Sequence, residues 1–194
     1  MEHELIDWLD ENGKIKGIVD KAIAHTLGLW HRSIHVWVIN DKGEVLLQKR
    51  CSDKTLYPNH WDCTFAGHVG ANEPSELAAM REGEEELGII VNPGNLEKMA
   101  TLKEELKFGD IHSKEFVDIY LLHQNISESE LSFQVEEVAD SKWFNLQALI
   151  TGTLTIPIIP HIEEFKLLAQ YFNITLNNSC ENQTWFSTNL LDAC

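Results

Sequence analysis

Basic residues are scarce in this sequence: 15 Lys and Arg stand against 31 Asp and Glu, which gives a formal net charge of −16 at pH 7. A chain this acidic repels nucleic acids and anionic lipid surfaces, so we exclude both as partners. A phosphorylated small molecule is an acceptable ligand only if local cations offset the field of the protein, and divalent metal ions supply such charge. The acidic residues are therefore the first place to look for a site.

Cysteines and long apolar runs are also scarce. The four cysteines, Cys51, Cys63, Cys180 and Cys194, are spaced too widely for a CxxC zinc motif or a dense disulfide framework, so we expect reduced thiols. No stretch approaches the roughly 20 apolar residues of a transmembrane helix, and the acidic N-terminus lacks the apolar segment of a signal peptide. These absences predict a cytoplasmic protein.

Alternation of apolar and polar residues predicts a mixed or antiparallel β-sheet with few helices, in one domain. Asn12 and Gly13 are expected at the turn of an N-terminal β-hairpin, and residues 33–39 and 44–49 predict a second, more buried hairpin. The other predicted elements are a short strand between two loops over 56–69, strands over 99–108 and 114–122, a strand and helix over 138–150, a terminal helix over 160–172 and a polar tail over 173–194.

The densest acidic run is REGEEELG at residues 81–88. On a helix, Glu82 and Glu86 are one turn apart and Glu85 is three residues from Glu82, so their side chains crowd one strip of surface. Each like-charge pair at this spacing destabilises an isolated helix by roughly 0.2–0.5 kcal/mol. A divalent ion bound by these oxygens converts the repulsion into shared attraction, so the run predicts a metal site.

The helix that carries this run has predicted ends and a predicted apolar side. Asn72 or Ser75 is expected to cap it, Pro74 suits its first turn, and Gly88 is expected to end it. Its apolar side is expected to comprise Leu77, Met80 and Leu87.

The loop before the helix, AGHVGANE, is rich in glycine, and an exposed backbone carbonyl at Gly67 is a candidate metal ligand. Glu73 and Arg81 are eight residues apart. If the loop folds over the helix, their ion pair braces the two segments together.

These residues resemble the Nudix box, because Gly67, five residues, Glu73, seven residues and then REGEEELGI reproduce its spacing. The resemblance implies an α/β (α+β) fold, a Nudix-type α/β/α sandwich with a mixed β-sheet and an N-terminal β-hairpin. It implies hydrolysis of a nucleoside diphosphate linked to another group, with Mg²⁺ or Mn²⁺ as the cofactor. We assign residues 1–172 to one Nudix domain, with the hairpin extension over 1–24 and the box over 67–89.

The resemblance also implies roles for individual residues. Arg81 and Glu73 match the bracing pair of the family, and Arg81 thereby belongs to the catalytic group. One position departs from the family pattern, since Gly83 stands where an aliphatic residue is usual. We expect this glycine to lower local stability or to mark a close helix contact. The implied metal ligands are the Gly67 carbonyl, Glu82, Glu85 and Glu86.

Outside the box, most of residues 6–149 is similar to type I isopentenyl diphosphate isomerases. Those enzymes carry a cysteine where this chain has Ala66, although His68 is retained, and Cys63 three residues upstream is not expected to take its place. Of the isomerase acidic pair, this chain keeps Glu115 and has Ser113 at the other position. It also keeps the double glutamate that the isomerases lose. The chain therefore resembles the isomerase-like Nudix hydrolases, with an isomerase or a weakly catalytic nucleotide sensor as the alternatives.

The proton acceptor for the attacking water is expected to be Glu82, Glu85 or Glu115. His25 and His31 match isomerase metal-site histidines with the spacing off by one residue, so ligand and structural roles both stay open. The expected partner is a small nucleoside diphosphate derivative, and the sequence leaves open whether the chain is a monomer or a homodimer. Weaker candidates for substrate contact, each with a structural alternative, are Lys49, Arg50, Trp61 and His68.

Overall fold

Strand β3, Trp30–Ile39, organises the fold, because most of its side chains on both faces become buried. The computed structural model describes residues 4–176. Within them nine strands form one sheet: β1 Leu5–Leu9, β2 Ile15–Asp20, β3, β4 Glu44–Arg50, β5 Trp61–Asp62, β6 Phe65–His68, β7 Leu96–Phe108, β8 Ile111–His123 and β9 Val138–Asn145. The α-helices are α1 Lys21–Leu27, α2 Ser75–Leu87, α3 Leu146–Ile150 and α4 Ile162–Tyr171, with short 3₁₀ turns at Pro93–Asn95 and Glu128–Glu130.

The sheet is mixed, as predicted. β3 runs antiparallel to β4 and β6 and parallel to β8, which pairs in turn with β7. β9 pairs with β4, and the N-terminal hairpin of β1 and β2 joins the sheet beside β3. The parallel register sets His31 opposite Glu115, which are 84 positions apart in the chain.

Helices cover both faces of the sheet, which confirms the expected α/β/α sandwich. Side chains alternate across a strand, so neighbouring residues of β3 enter different cores. One core joins Ile34 and Val36 to Ala78 and Leu87 of α2. The opposite core joins Trp37 and Ile39 of β3 to α3 and α4.

Helix α2 ends where the sequence predicts, at Gly88, whose φ of 68° is the left-handed conformation that glycine adopts easily. The predicted cap is wrong: Pro74 occupies the N-cap position and no side chain caps the helix. Leu77 is also misplaced, since it is 51% exposed. The buried side is built from small residues, chiefly Ala78, Ala79 and Gly83, which let the helix lie close to the sheet.

Gly83 is a close-contact position. A Cβ atom added there would lie 3.0 Å from Phe65 Cζ and 3.1 Å from Val91 Cγ2. Of the two expectations for this residue, the structure supports the tight helix contact.

The sequence did not predict α1, which has seven residues and is too short to display a helical period. Asp20 caps its N-terminus by accepting from the Ala22 N–H, and Gly28 ends it with a φ of 63°. The helix follows the N-terminal hairpin, whose turn includes Gly13 with a φ of 80°. This order brings His25 of α1 close to the start of β3.

Residues 56–69 contain two short strands, β5 and β6, rather than one, because β6 pairs with β3 while β5 pairs with β4. The terminal helix is present as α4.

Most of the predicted tail, residues 177–194 with Cys180 and Cys194, lies outside the described residues. Among the described helices, none has the length and apolar character needed to cross a bilayer.

Candidate active site and metal centres

Gly67 and Glu82 are in direct contact. β6 carries Gly67 over the side of α2, and a Cβ atom at this position would lie 2.1 Å from Glu82 Cδ. Any side chain larger than hydrogen would displace the carboxylate, so the glycine lets the loop approach the helix. The Glu82 side chain is only 13% exposed.

Glu86 is the buried member of the glutamate run, with 7% exposure. It accepts a hydrogen bond from Gln48 Nε2 at 3.2 Å and another from the Ala66 backbone N–H. Loss of solvent, followed by the nearby charge of Glu82, raises the pKa of Glu86 to about 8. Burial also raises the pKa of Glu82. Burial and mutual repulsion thus disfavour negative charge on both carboxyls, and a bound cation would relieve this cost.

Arg81 supplies the positive charge beside this pair. Its Nη1 donates to Glu82 Oε1 at 2.6 Å and to Glu85 Oε2 at 3.2 Å. Its Nη2 donates to the His68 carbonyl at 3.0 Å and to Glu73 Oε2 at 3.2 Å. The guanidinium thus ties the glycine loop to the helix through Glu73 and orients the glutamates.

The three box carboxylates are not equivalent. Glu85 is 52% exposed, whereas Glu82 and Glu86 lie against the loop. Carboxylate oxygens suit hard divalent cations such as Mg²⁺ and Mn²⁺. The burial and repulsion of Glu82 and Glu86 fit a site for such an ion, and Glu85 is an exposed carboxylate on the same helix.

A second cluster lies on the sheet face opposite α2 and consists of His25, His31, His68 and Glu115. One ligand atom from each lies within 4.8 Å of the others. His25 Nε2 is 3.3 Å from His31 Nε2, which is 3.7 Å from Glu115 Oε1. The two histidines whose role the sequence left open are therefore neighbours of His68, and Glu115 belongs with them rather than with the box glutamates.

Protonation in this cluster favours metal binding. Burial lowers the pKa of His68 to about 4 and also lowers the pKa of His25, so both rings are neutral at pH 7. Burial opposes ionisation of Glu115, yet the adjacent His68 and His31 and the Ser113 hydroxyl bring its pKa to about 2. His68 Nε2 is buried and has no hydrogen-bond partner among the described residues. Neutral imidazoles, a carboxylate and an unpaired ring nitrogen fit a divalent metal ion.

Of the other residues with predicted substrate contacts, Lys49 and Arg50 lie on β4 and Trp61 lies in the core. Arg50 donates to Asp62 and to the Leu56 carbonyl. Trp61 is buried against Phe144, with ring centroids 4.8 Å apart, so core packing accounts for it. Lys49 lies on β4, in register with Trp61.

Sequence reasoning missed a buried group around Glu164, which interacts with His35 and His161. Asp62 joins the group by pairing with His161 at 2.7 Å. No motif could have revealed it, since His35 and Glu164 are 129 positions apart. The thiol of Cys63 lies beside these histidines and is buried, which raises its pKa well above the ordinary value.

Known proteins resemble the chain in sequence and in fold. A family model described as the NUDIX domain matches residues 29–165. An uncharacterised Nudix hydrolase of Listeria monocytogenes is 33% identical over 171 residues, 87% of this chain and 93% of the relative. Isopentenyl-diphosphate Delta-isomerase 1 of Photorhabdus laumondii is 39% identical over 85 residues, 43% of this chain and 48% of the relative. A crystal structure from Deinococcus radiodurans has a TM-score of 0.64 at 19% identity, over 84% of this chain and 98% of that one.

Proposed function

The chain belongs to the Nudix hydrolase family, and from that premise we propose that it cleaves the diphosphate linkage of a nucleoside diphosphate joined to another group, using Mg²⁺ or Mn²⁺. The observation that carries the proposal is the contact of Glu82 with Gly67, beside the buried Glu86. These carboxylates repel each other in a poorly solvated position, and a divalent cation between them would replace that repulsion with attraction.

In this mechanism Glu82, Glu85 and Glu86 would hold the ion, with the Gly67 carbonyl as a further oxygen ligand. A divalent ion neutralises diphosphate charge and lowers the pKa of a bound water. Arg81 orients the glutamates and binds Glu73, so the loop and the helix hold a fixed relative position. A fixed site needs little reorganisation when charge develops on the phosphates.

The histidine cluster supports a second metal position. His25, His31, His68 and Glu115 offer three imidazoles and one carboxylate, a donor set suited to a transition metal such as Mn²⁺ or Zn²⁺. Under this assignment Glu115 is a ligand rather than the proton acceptor. A metal ion held there would add positive charge beside β6, on the sheet face opposite α2.

The isomerase alternative has one observation in its favour, since this cluster contains the two histidines that match isomerase metal-site residues. Against it, Ala66 supplies no thiol for proton transfer. Incubation with isopentenyl diphosphate and analysis for the rearranged isomer separates the two activities. Rapid isomerisation would overturn the hydrolase proposal.

The direct test is a panel of ADP, CDP, ATP, ADP-ribose, UDP-glucose and NAD, with phosphate or nucleoside monophosphate release measured with and without Mg²⁺ or Mn²⁺. Glu82→Gln should reduce turnover of the best substrate by roughly a hundredfold or more, because a ligand of the ion that offsets transition-state charge is lost. Glu84→Gln is the matched control, since Glu84 is exposed on the same helix. If the wild-type protein binds a panel compound without hydrolysing it, and Glu82→Gln keeps that binding, the protein is a sensor instead.

A further inference from the structure

Glu164 lies at the centre of a buried polar network on the sheet face opposite α2, and it is fully buried. Trp37 Nε1 lies 2.6 Å from its Oε2 atom, while His35 Nδ1 lies 2.7 Å and His161 Nδ1 lies 3.0 Å from its Oε1 atom. Although burial opposes ionisation, the adjacent His35 and His161 keep the pKa of Glu164 low. The carboxylate is therefore an acceptor for all three N–H groups.

This bonding determines the tautomer of His35. An ionised carboxylate cannot donate, so the 2.7 Å contact requires the proton of the neutral ring to lie on Nδ1. Nε2 then carries a free lone pair. Within residues 4–176 no hydrogen bond engages Nε2, and the side chain is 14% exposed.

The charges around Glu164 balance without a charge on His35. Both ring nitrogens of His161 face carboxylates, Nε2 at 2.7 Å from Asp62 and Nδ1 at 3.0 Å from Glu164, so both donate and the ring is cationic. Asp62 also accepts from Arg50 Nη1 at 3.1 Å. These two cations match the two anions, so the network stays balanced when His35 is in its neutral form and Nε2 carries the lone pair.

His35 lies beside the box loop. It is the cross-strand partner of Ala66, whose N–H donates to Glu86, and the next residue, Gly67, rests on Glu82. Cross-strand side chains are roughly 5 Å apart at Cβ, so the His35 side chain lies next to the loop that contacts the glutamates. Among the described strands β6 pairs with β3 alone, so a diphosphate at its open edge can meet groups from both faces of the sheet.

We propose that His35 is the general base of the hydrolysis, with Nε2 accepting a proton from the attacking water. The proposal rests on the hydrolase function proposed above. The water oxygen forms a bond to one phosphorus while the bridging P–O bond breaks, and the bridging oxygen leaves with the electron pair on the other phosphate. The proton on Nε2 makes His35 an imidazolium, which Glu164 stabilises, and it passes to solvent after the products leave.

The surroundings of His35 give the pH dependence a direction. Burial disfavours the protonated ring, but the charge of Glu164 raises its pKa above the ordinary value. His161, Asp62, Glu104 and the thiol of Cys63 are the other titratable groups beside it. Because the base must be neutral, the rate should rise as pH increases through this pKa. Without the Glu164 charge the pKa falls, so the same rise should occur at lower pH.

The experiment is the pH profile of kcat, measured with the panel compound that the wild-type protein hydrolyses fastest. His35→Gln should reduce kcat by roughly 10²- to 10⁴-fold and abolish the acidic limb, as expected when a general base is lost. Glu164→Gln should move the acidic limb to lower pH. His123→Gln is the matched control, because His123 is an exposed histidine at the end of β8, and it should leave the profile unchanged.

An unchanged acidic limb in His35→Gln, or an effect on KM alone, would overturn the inference while the hydrolase function stands. A wild-type protein that hydrolyses no panel compound, or a Glu82→Gln variant with wild-type turnover, would overturn the function itself. Should either network variant fail to fold, imidazole NMR on the wild-type protein gives the answer. Addition of α,β-methylene-ADP with Mg²⁺ should shift the His35 Nε2 resonance, and no shift would refute the general-base role of His35.

Discussion

Replacing Glu86 by glutamine is expected to stabilise the metal-free protein at alkaline pH. The native carboxyl has a pKa raised by burial to about 8, against an ordinary value of 4.5. Between these values the folded state holds a proton that the unfolded state has released. Unfolding is therefore favoured increasingly as pH rises, and the penalty appears above pH 4.5 and is complete above about pH 8.

The size of the effect follows from this window. Each pH unit costs about 1.4 kcal/mol while only the folded state is protonated, so the span from 4.5 to about 8 amounts to roughly 5 kcal/mol at most. Glutamine keeps the shape and accepts one of the bonds from Gln48 and Ala66, but an imperfect second bond removes about 1 kcal/mol of the gain. We expect the metal-free Glu86→Gln variant to be more stable than wild type by about 2–4 kcal/mol at pH 8.5.

Urea unfolding in EDTA at pH 5 and pH 8.5 measures this difference, with Glu84→Gln as the control for a charge lost from an exposed site. The Glu86→Gln advantage should be small at pH 5 and large at pH 8.5. Added Mn²⁺ should stabilise the wild-type protein more than the variant, because the ion binds the folded carboxylate. Equal stabilities of variant and wild type at pH 8.5 in EDTA would refute the burial argument.

Three further substitutions test other contacts. Gly67→Ala should displace Glu82 and lower both turnover and unfolding free energy, the latter by about 1–3 kcal/mol in urea unfolding. Gly83→Ala should gain about 1 kcal/mol of helix propensity but lose more to crowding against Phe65, so thermal unfolding should show a net destabilisation while turnover persists. His68→Gln should weaken Mn²⁺ or Co²⁺ binding by roughly tenfold or more in calorimetry, because an unpaired ring nitrogen is lost from the cluster.

Gly94→Ala is the control for the glycine variants, since the nearest atom to its added Cβ is Asn92 Oδ1 at 3.4 Å and its backbone is not left-handed. Full turnover in Gly67→Ala would contradict the proposed loop contact. A Gly83→Ala protein more stable than wild type would mean that α2 can shift away from Phe65 at little cost. Unaltered metal affinity in His68→Gln would remove the histidine cluster from consideration as a metal site.

Local spacing accounts for what could be read from the chain alone. Glu82, Glu85 and Glu86 share one side of a helix because an α-helix repeats every 3.6 residues, and Gly88 ends that helix because glycine accepts a left-handed backbone. The hairpin turns and the alternating strands follow from the same kind of short-range pattern. The inaccurate details, such as the exposed Leu77, arose where small residues on α2 were the better fit to the sheet.

Contacts between distant segments were decided by tertiary structure. The parallel pairing of β3 with β8 sets Glu115 beside His31, and α4 brings Glu164 to His35 across 129 positions. Backbone geometry determines spacing within one helix or strand, but which segments meet depends on strand register and on how the layers pack. By itself the sequence determined the carboxylate run and the family to which it points, whereas only the folded chain brought together the histidine cluster and the buried network on the opposite face of the sheet.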